Sequence, residues 1–391
     1  IGAKLLAGDG TKLRAQNSKK NNFTHAKIER HIAYIDQKLD EYNIMLEQQD
    51  GDITPEQKAE IQKRIEKHQQ HKNKYQGFKE HLDQTGQVQV STSDPDSRQL
   101  ITRNNITEVA YNIQATVDAK HNIPIDFKVT NQNDSKAMGN MLRRAKTILG
   151  NADFTAIYDK GYHTGTEFKY ANQLGVQVMV AIPEVASHAP DIAFDVENFK
   201  YNKSLDTYQC PQGQTLITNS KWYFKKHGKT TNRIKHYKTK ACLACPAFER
   251  CTKNKAGRLI ERTEHADLID QNKKRIEQNK ETYRKRQAIV EHPFGIIKRQ
   301  WDFYYIMTKK SIKHASADVG LIFTAFNLRR IINIIDHDML KKYLSVLACF
   351  LFAVMAYFKR FCAVISNPEH HTIKKNRSFF MPLNGLYLTA G

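Results

Sequence analysis

The chain opens on apolar residues that lead into a carboxylate flanked by glycines, Ala3-Lys4-Leu5-Leu6-Ala7-Gly8-Asp9-Gly10-Thr11-Lys12-Leu13. This predicts a short strand ending at Asp9, where a carboxylate serves either as a turn residue or as a metal ligand. From Phe23 to about Leu82 the period lengthens. Ile28, Ile32, Ile35, Leu39, Tyr42 and Leu46 step by fours and threes, a heptad-like helical stripe. Asp50-Gly51-Asp52 breaks the stripe. Thr54-Pro55-Glu56-Gln57 restarts it with a capping-box pair around a proline at the first helical position. Ile61, Ile65 and Phe78 continue a thinner stripe, so an antiparallel helical hairpin is predicted to project from the domain.

The period then falls to two. Val109, Tyr111, Ile113, Ala115 and Val117 alternate with Ala110, Asn112, Gln114 and Thr116; Asp118 to Asn122 turns the chain; Ile123, Ile125, Phe127 and Val129 alternate again. That is a β-hairpin. A helix follows from about Ser135 to Leu149, with Asp134 near its N-cap and Gly150 at its stop. Phe154 to Tyr158 reads as a buried strand running into Asp159-Lys160-Gly161-Tyr162, then a helix over about Glu167 to Leu174, then a strand through Val176, Val178, Val180 and Ile182. The order strand, hairpin, helix, strand, helix, strand predicts an α/β fold with a mixed sheet. Further on, one long helix is predicted from about Asp267 towards Arg299, disturbed by Pro293, and a core helix from about Ala315 to Ile335. Tyr343 to Phe358 is a mostly apolar run of 16 residues between Lys341-Lys342 and Lys359-Arg360. It is slightly short for a bilayer span and reads as a tail helix packed on the core or an appendage.

Charge changes this picture. There are 61 Lys and Arg against 40 Asp and Glu, a net charge of +21, which calls for an anionic partner. The excess is concentrated: Lys221 to Arg262 holds 13 Lys and Arg against two Glu. A hydrophobic content of 40% suffices for a core and excludes wholesale disorder. Six cysteines are too few for a disulfide scaffold and no leader is visible, so a reducing cytoplasm is expected. The chain begins at Ile1, and an upstream segment is expected to be missing.

Two constellations carry chemistry. Cys242 and Cys245 form a knuckle, Cys251 lies near, and Cys210 precedes Pro211 and Gly213. Four thiolates suit a closed, structural zinc site, with free thiols or an oxidised pair as the alternative. So basic a segment, poor in apolar residues, is expected to need such a staple to fold. Cys349 and Cys362 read as core residues. The second constellation is a set of carboxylates: Asp9, Asp159 and Glu291, with Lys298 seven residues after the glutamate and so on its helix face. Such oxygen donors suit Mg²⁺ or Mn²⁺, and two ions can serve phosphoryl transfer. Asp118 is a rival acid but reads as a solvated turn residue, and Asp94 and Asp96 as loop residues.

These motifs together resemble the DDE-type transposases of bacterial insertion sequences, in the branch with a cysteine-rich insertion before the last acid. The resemblance runs in order over roughly residues 3 to 335. It rests on Asp9-Gly10-Thr11-Lys12, the strand Tyr111 to Asp118, Asp159-Lys160-Gly161-Tyr162, the four cysteines, Glu291-His292-Pro293-Phe294-Gly295 with Lys298, and Thr324-Ala325-Phe326-Asn327-Leu328-Arg329-Arg330. It implies a ribonuclease-H-like mixed sheet with helices on both faces, in which Asp9, Asp159 and Glu291 hold two Mg²⁺ or Mn²⁺ ions. It also implies a Tyr-Arg-Glu-Lys signature, matched by Tyr283, Arg286, Glu291 and Lys298, with Arg284 as the competing arginine.

The expected activity is metal-dependent cleavage at the element ends and strand transfer to target DNA. An inactive DNA-binding remnant and a metal-dependent nuclease are the alternatives. Lys160, Lys273, Lys274, Arg284 and Lys285 are expected to contact DNA, and a homodimer or larger assembly is expected on DNA in the bacterial nucleoid, with no membrane or small-molecule partner. The expected organisation is a first strand at 1–18, a hairpin insertion at 19–90, a catalytic core at 91–195, a basic zinc insertion at 196–262, a Glu-bearing helix with closing helices at 263–338 and a tail at 339–391.

Overall fold

The computed structural model describes residues 1–48, 54–102, 106–184, 189–227, 230–306 and 310–365. The Asp50-Gly51-Asp52 break, the Cys362 side chain and the tail beyond residue 365 lie outside them. Residues Ile1–Arg330 form one compact unit and Ile331–Gly391 a second.

The first unit is built on a mixed sheet. Strand β1 (Leu5–Ala15) is followed by the short β2 (Asn22–Phe23), helices α1 (His25–Gln48) and α2 (Pro55–Thr85), and β3 (Val90–Ser91), β4 (Arg98–Ile101), β5 (Thr107–Asp118) and β6 (Ile123–Thr130). Then come α3 (Met138–Leu149), β7 (Thr155–Tyr158), α4 (Gly165–Leu174) and β8 (Gln177–Val180). The sheet runs β4-β5-β1-β7-β8, with β6 also on β5. β5 is antiparallel to β1 and to β6, whereas β7 is parallel to β1 and β8 to β7. β1 runs on to Ala15, so Asp9 lies within the strand and not at its end as the sequence suggested. Pairing with β5 through Arg14 carries it that far.

Alternation along the strands sends side chains to two covered faces. On one, α3 and α4 bring Met138, Met141, Leu142, Phe168 and Ala171 against Leu6, Ala156, Tyr158, Val178 and Val180. On the other lie the Glu-bearing helix α7 (Lys280–Gly295) and α8 (Ser311–Ile334). There Ile289 and Val290 meet Ala7, Val117, Ile157 and Met179, while Val319, Phe323 and Phe326 meet Leu13, Ile113, Ala115 and Val129. Covering both faces also buries the polar positions of β5: every residue from Val109 to Asp118 is buried.

Three carboxylates read as turn or loop residues prove to make structural contacts. Asp118 is fully buried, not a solvated turn residue, and accepts the backbone N–H groups of Gly2 at 3.0 Å, Ala3 at 2.9 Å and His121 at 3.2 Å. Asp94 is also fully buried. It accepts the Tyr111 hydroxyl on both oxygens, at 2.7 and 2.8 Å, and the Ser311 N–H at 2.9 Å. Asp96 accepts the Ile312 N–H at 2.8 Å. The two aspartates thereby satisfy the first N–H groups of α8, whose helix dipole favours negative charge at that end.

The helical hairpin packs at its base, where Phe23, Ile28 and Leu82 are buried with Ile32, Tyr75 and Phe78 around them. Its second helix begins with the expected capping box at Thr54 and Gln57.

The basic stretch forms a sheet of its own: β9 (Lys200–Asn202), β10 (Thr207–Gln209), β11 (Thr215–Thr218), β12 (Tyr223–His227), β13 (Thr230–Lys238) and, after the single-turn helix α5 (Phe248–Cys251), β14 (Ile260–Thr263). Its core is Phe199, Tyr208, Leu216, Tyr237 and Ile260. Three of those five precede Lys221, so the basic strands borrow apolar partners from upstream instead of depending wholly on a staple. Arg262 ties this sheet to α6 (Ala266–Gln278) through Asp267 at 2.5 Å and Asp270 at 2.9 Å.

The single long helix expected from Asp267 to Arg299 is divided. α6 stops at Asn279 and α7 begins at Lys280. Pro293 sits inside α7, and the chain continues as a π-turn over Ile296–Gln300 before β15 (Tyr305–Ile306), which pairs with the end of β1. Proline removes one intrahelical hydrogen bond, and the widened turn begins three residues after it.

The second unit contains α9 (His337–Ile365). Its stretch Asp338–Arg360 is long and apolar enough to cross a membrane, by length and composition only. Cys349 is exposed on it and is not the core residue expected, because the helix presents its apolar side chains outward.

Candidate active site

The site follows from strand register. β1 and β7 are paired Leu5 to Thr155, Leu6 to Ala156 and Ala7 to Ile157. Asp9 and Asp159 each stand two residues beyond the last of these pairs. They share the parity of Ala7 and Ile157, and hence the face covered by α7. β7 stops at Tyr158, and β15 meets β1 only from Arg14 onward. Between these points that edge of β1 has no strand partner among the described residues. The carboxyl end of a parallel strand beside such an interruption is where open α/β sheets place ligands.

The glycines beside Asp9 are required by close approach. A Cβ on Gly8 would lie 2.0 Å from the Tyr158 ring, and one on Gly10 would lie 2.5 Å from Asp134 Oδ1. Asp134 is the residue that the sequence reading undervalued. It does not cap α3, whose N-cap is Ala137. Its Oδ1 accepts from Asn112 Nδ2 at 2.7 Å and Gln114 Nε2 at 2.6 Å, and its Oδ2 faces Lys12 Nζ at 3.2 Å. Tyr162 donates to the other end of Gln114. This network joins β1, β5 and the turn after Asp159 beneath the two aspartates. The only trace of it in the sequence is the amide pair Asn112 and Gln114 at alternate positions of a strand.

Asp9 accepts the Gly10 N–H at 2.8 Å and faces Arg286 Nη1 at 3.4 Å. Burial pushes its carboxyl up to about 6; Arg286 and the Gly10 N–H oppose the rise, and Asp159 and Asp134 add to it. With 28% of its side chain exposed, Asp9 remains open to an ion. Asp159 accepts the Lys160 N–H at 2.6 Å.

From α7, the Tyr283 hydroxyl donates to the Tyr158 carbonyl at 3.0 Å, and burial raises its pKa. Glu291 is exposed and accepts from Gln287 Nε2 at 2.9 Å. The π-turn separates it from Lys298, so seven-residue spacing no longer implies a shared face. Lys298 Nζ donates to Thr11 Oγ1 at 2.9 Å and to the Lys12 carbonyl at 3.0 Å, on the interrupted edge of β1. Arg284, unlike Arg286, is exposed, as are Lys160, Lys274 and Lys285; Lys273 faces Glu197 at 3.5 Å.

Among the described residues, no three His, Cys, Asp or Glu side chains stand close enough to hold an ion. Asp9 and Asp159 nevertheless match the donor chemistry of Mg²⁺, which needs only one or two carboxylates beside water and phosphate. Cys210, Cys242, Cys245 and Cys251 line one cavity. Burial raises the Cys251 thiol, the other three sulfurs raise it further and Arg258 opposes them, so the four sense one another without standing at metal-binding spacing.

The raised Asp9 carboxyl makes a measurable difference to the chain without added divalent ion. A folded pKa above the unfolded one means that ionising Asp9 costs stability, a cost absent below about pH 4 and complete above about pH 6. Asp9→Asn is therefore expected to be more stable than wild type by about 2 kcal/mol at neutral pH and equal to it near pH 4. Denaturant unfolding at both pH values checks this; a gain of the same size at both would refute the electrostatic cause.

Residues 209–332 match the family model described as the transposase DDE domain. The match takes in the cysteines, Glu291 and Lys298 and leaves out Asp9 and Asp159. No curated protein matches the chain.

Proposed function

We propose that this chain, which carries a match to the transposase DDE domain, is a ribonuclease-H-like DNA transposase that cleaves strands at the ends of a mobile element and joins the freed 3′ end to target DNA. The observation that carries the proposal is the parallel register that sets Asp9 and Asp159 side by side at the interrupted edge of β1. The strand order β6-β5-β1-β7-β8, with helices on both faces, supports the fold assignment.

In this reading Asp9 and Asp159 hold the divalent ions and Glu291 completes the set when substrate is bound. The ions would supply an activated water and charge neutralisation at the scissile phosphate. Arg286 neutralises Asp9 in the resting chain and turns to the phosphate when the carboxylate is taken up. Tyr283 buttresses the end of β7, and Lys298 holds the open edge of β1 and adds positive charge at the site. Lys160, Lys274, Arg284 and Lys285 follow the DNA backbone with no sequence preference. Two copies would bring two element ends together. The four thiols line one cavity and would have to draw closer together to serve as the donor set of a structural zinc ion, which metal analysis of the purified chain checks.

The deciding experiment offers supercoiled plasmid with Mg²⁺, Mn²⁺ or Ca²⁺ and assays for nicks and for joined products. Nicking in Mg²⁺ or Mn²⁺ together with joined products supports a transposase; nicking without joining points to a nuclease. Plasmid retention with neither refutes the catalytic reading and leaves a DNA-binding remnant.

A further inference from the structure

The basic sheet presents an aromatic surface that the strand-cleavage reading does not use. Trp222, Tyr223 and Phe224 are consecutive, and all three are exposed, Phe224 by 75%. β12 is the terminal strand of its sheet, so one of its edges has no strand partner among the described residues. Register sets Phe224 opposite Arg233 and Lys225 opposite Asn232. Alternation then gathers Trp222, Phe224 and Lys226 on one face with Arg233 and Lys235. The Arg233 guanidinium lies 5.1 Å from the centre of the Trp222 ring and the Lys235 ammonium 5.2 Å from it. Lys235 is further held by Asp206 at 2.7 Å, which fixes one side of this arrangement. Trp222 is thus braced by cations, whereas Phe224 projects beside them, about 7 Å along the strand.

A large exposed ring costs solubility unless something covers it. The surrounding charge decides what that is. Lys221 and Lys226 are exposed three and two residues from the ring, and Lys225 beside it is paired with Glu261 at 2.5 Å, in a segment with 13 Lys and Arg against two Glu. A protein-binding hot spot is depleted of charge at its centre, whereas stacking rings among cations suit nucleic acid. In duplex DNA the faces of the bases are occupied by one another, so without the cost of unstacking the duplex a ring of this kind is used by an unpaired base.

We propose that the Trp222–Phe224 face of β12 and β13 binds unpaired nucleotides of the DNA substrate, with a base stacked on Phe224 and the adjoining phosphates on Lys226 and Arg233. This deepens the transposase reading and rests on it, because cleaving one strand at an element end leaves a terminus whose last base pairs can open and offer unpaired bases to the ring.

The test uses the full chain at about 0.15 M salt and fluorescence anisotropy with two probes, a labelled oligo-dT and a labelled blunt duplex of matched length. Phe224→Ala is expected to weaken oligo-dT binding about tenfold and to change duplex binding by less than about twofold. Phe224→Tyr, which keeps a stacking face, is expected to bind oligo-dT as wild type does. Phe224 is exposed, so neither variant loses core packing, and an unchanged thermal transition verifies that each is folded. Oligo-dT binding unaffected by Phe224→Ala, or equal losses on both probes, would overturn the proposal while leaving the transposase reading intact. Failure of wild type to bind either probe would overturn both.

Discussion

Asp159→Asn should lose Mg²⁺-dependent nicking by on the order of a thousandfold or more and still retard plasmid as wild type does. The amide oxygen can still accept the Lys160 N–H that Asp159 now accepts at 2.6 Å, so the local turn is preserved. What disappears is one unit of negative charge and a hard oxygen donor beside Asp9. Asp9→Asn is expected to be equally inactive, and more stable, for the reason given by its raised pKa. That combination, lost chemistry with gained stability, separates an ion-binding role from a structural one. Glu291→Gln asks a different question, because Glu291 is exposed and turned to Gln287. A comparable loss there would mean that the glutamate reaches the aspartates only with substrate present. Nicking retained by both aspartate variants would remove this site from the chemistry altogether.

Asp94→Ala is expected to destabilise the first unit by about 3–4 kcal/mol, the largest stability effect foreseen for a single residue here. Asp94 is fully buried and accepts two donors, the Tyr111 hydroxyl, whose single proton its two oxygens share, and the Ser311 N–H. Removing it leaves a buried hydroxyl and a helix N–H without their acceptor. It also loosens α8, whose Phe323 and Phe326 close the core over β5. Asp94→Asn keeps the shape and should cost less. Equilibrium denaturation of both variants, with Tyr111→Phe in a double-mutant cycle, measures the effect. A cost below about 1 kcal/mol for Asp94→Ala would show that α8 holds its place without this anchor.

Much of the fold was legible because periodicity is a local property. The alternation from Val109 to Val117 and from Ile123 to Val129 is enough to specify the hairpin, and the capping box at Thr54 is enough to start α2. Places where the sequence misled share a cause. Asn112, Gln114 and Thr116 look like the wet side of a strand, yet they are buried because helices cover both faces of the sheet. Asp118 looks like a turn residue, yet its three acceptor contacts make it the anchor of the N-terminal segment. The continuous charged text from Asp267 to Arg299 conceals the break at Asn279 and the π-turn at Ile296, since neither has a distinctive composition.

The sequence by itself determined the helical hairpin, the β5–β6 hairpin, the alternation of helix and strand through β8, the basic excess, the positions of four cysteines within one segment, and the placing of Asp9 on the first strand and Asp159 just past a later one. These depend on residues within a few positions of one another. Only the tertiary structure decided that Asp9 and Asp159 become neighbours, that Asp134 knits the strands beneath them, that Arg286 reaches Asp9 while Arg284 stays exposed, and that Glu291 faces outward. Arg286 meets Asp9 across 277 residues and Asp94 meets Ser311 across 217. Contacts over such separations are set by strand register and helix docking, which are properties of the whole packed chain and leave no periodic mark in any one stretch of it.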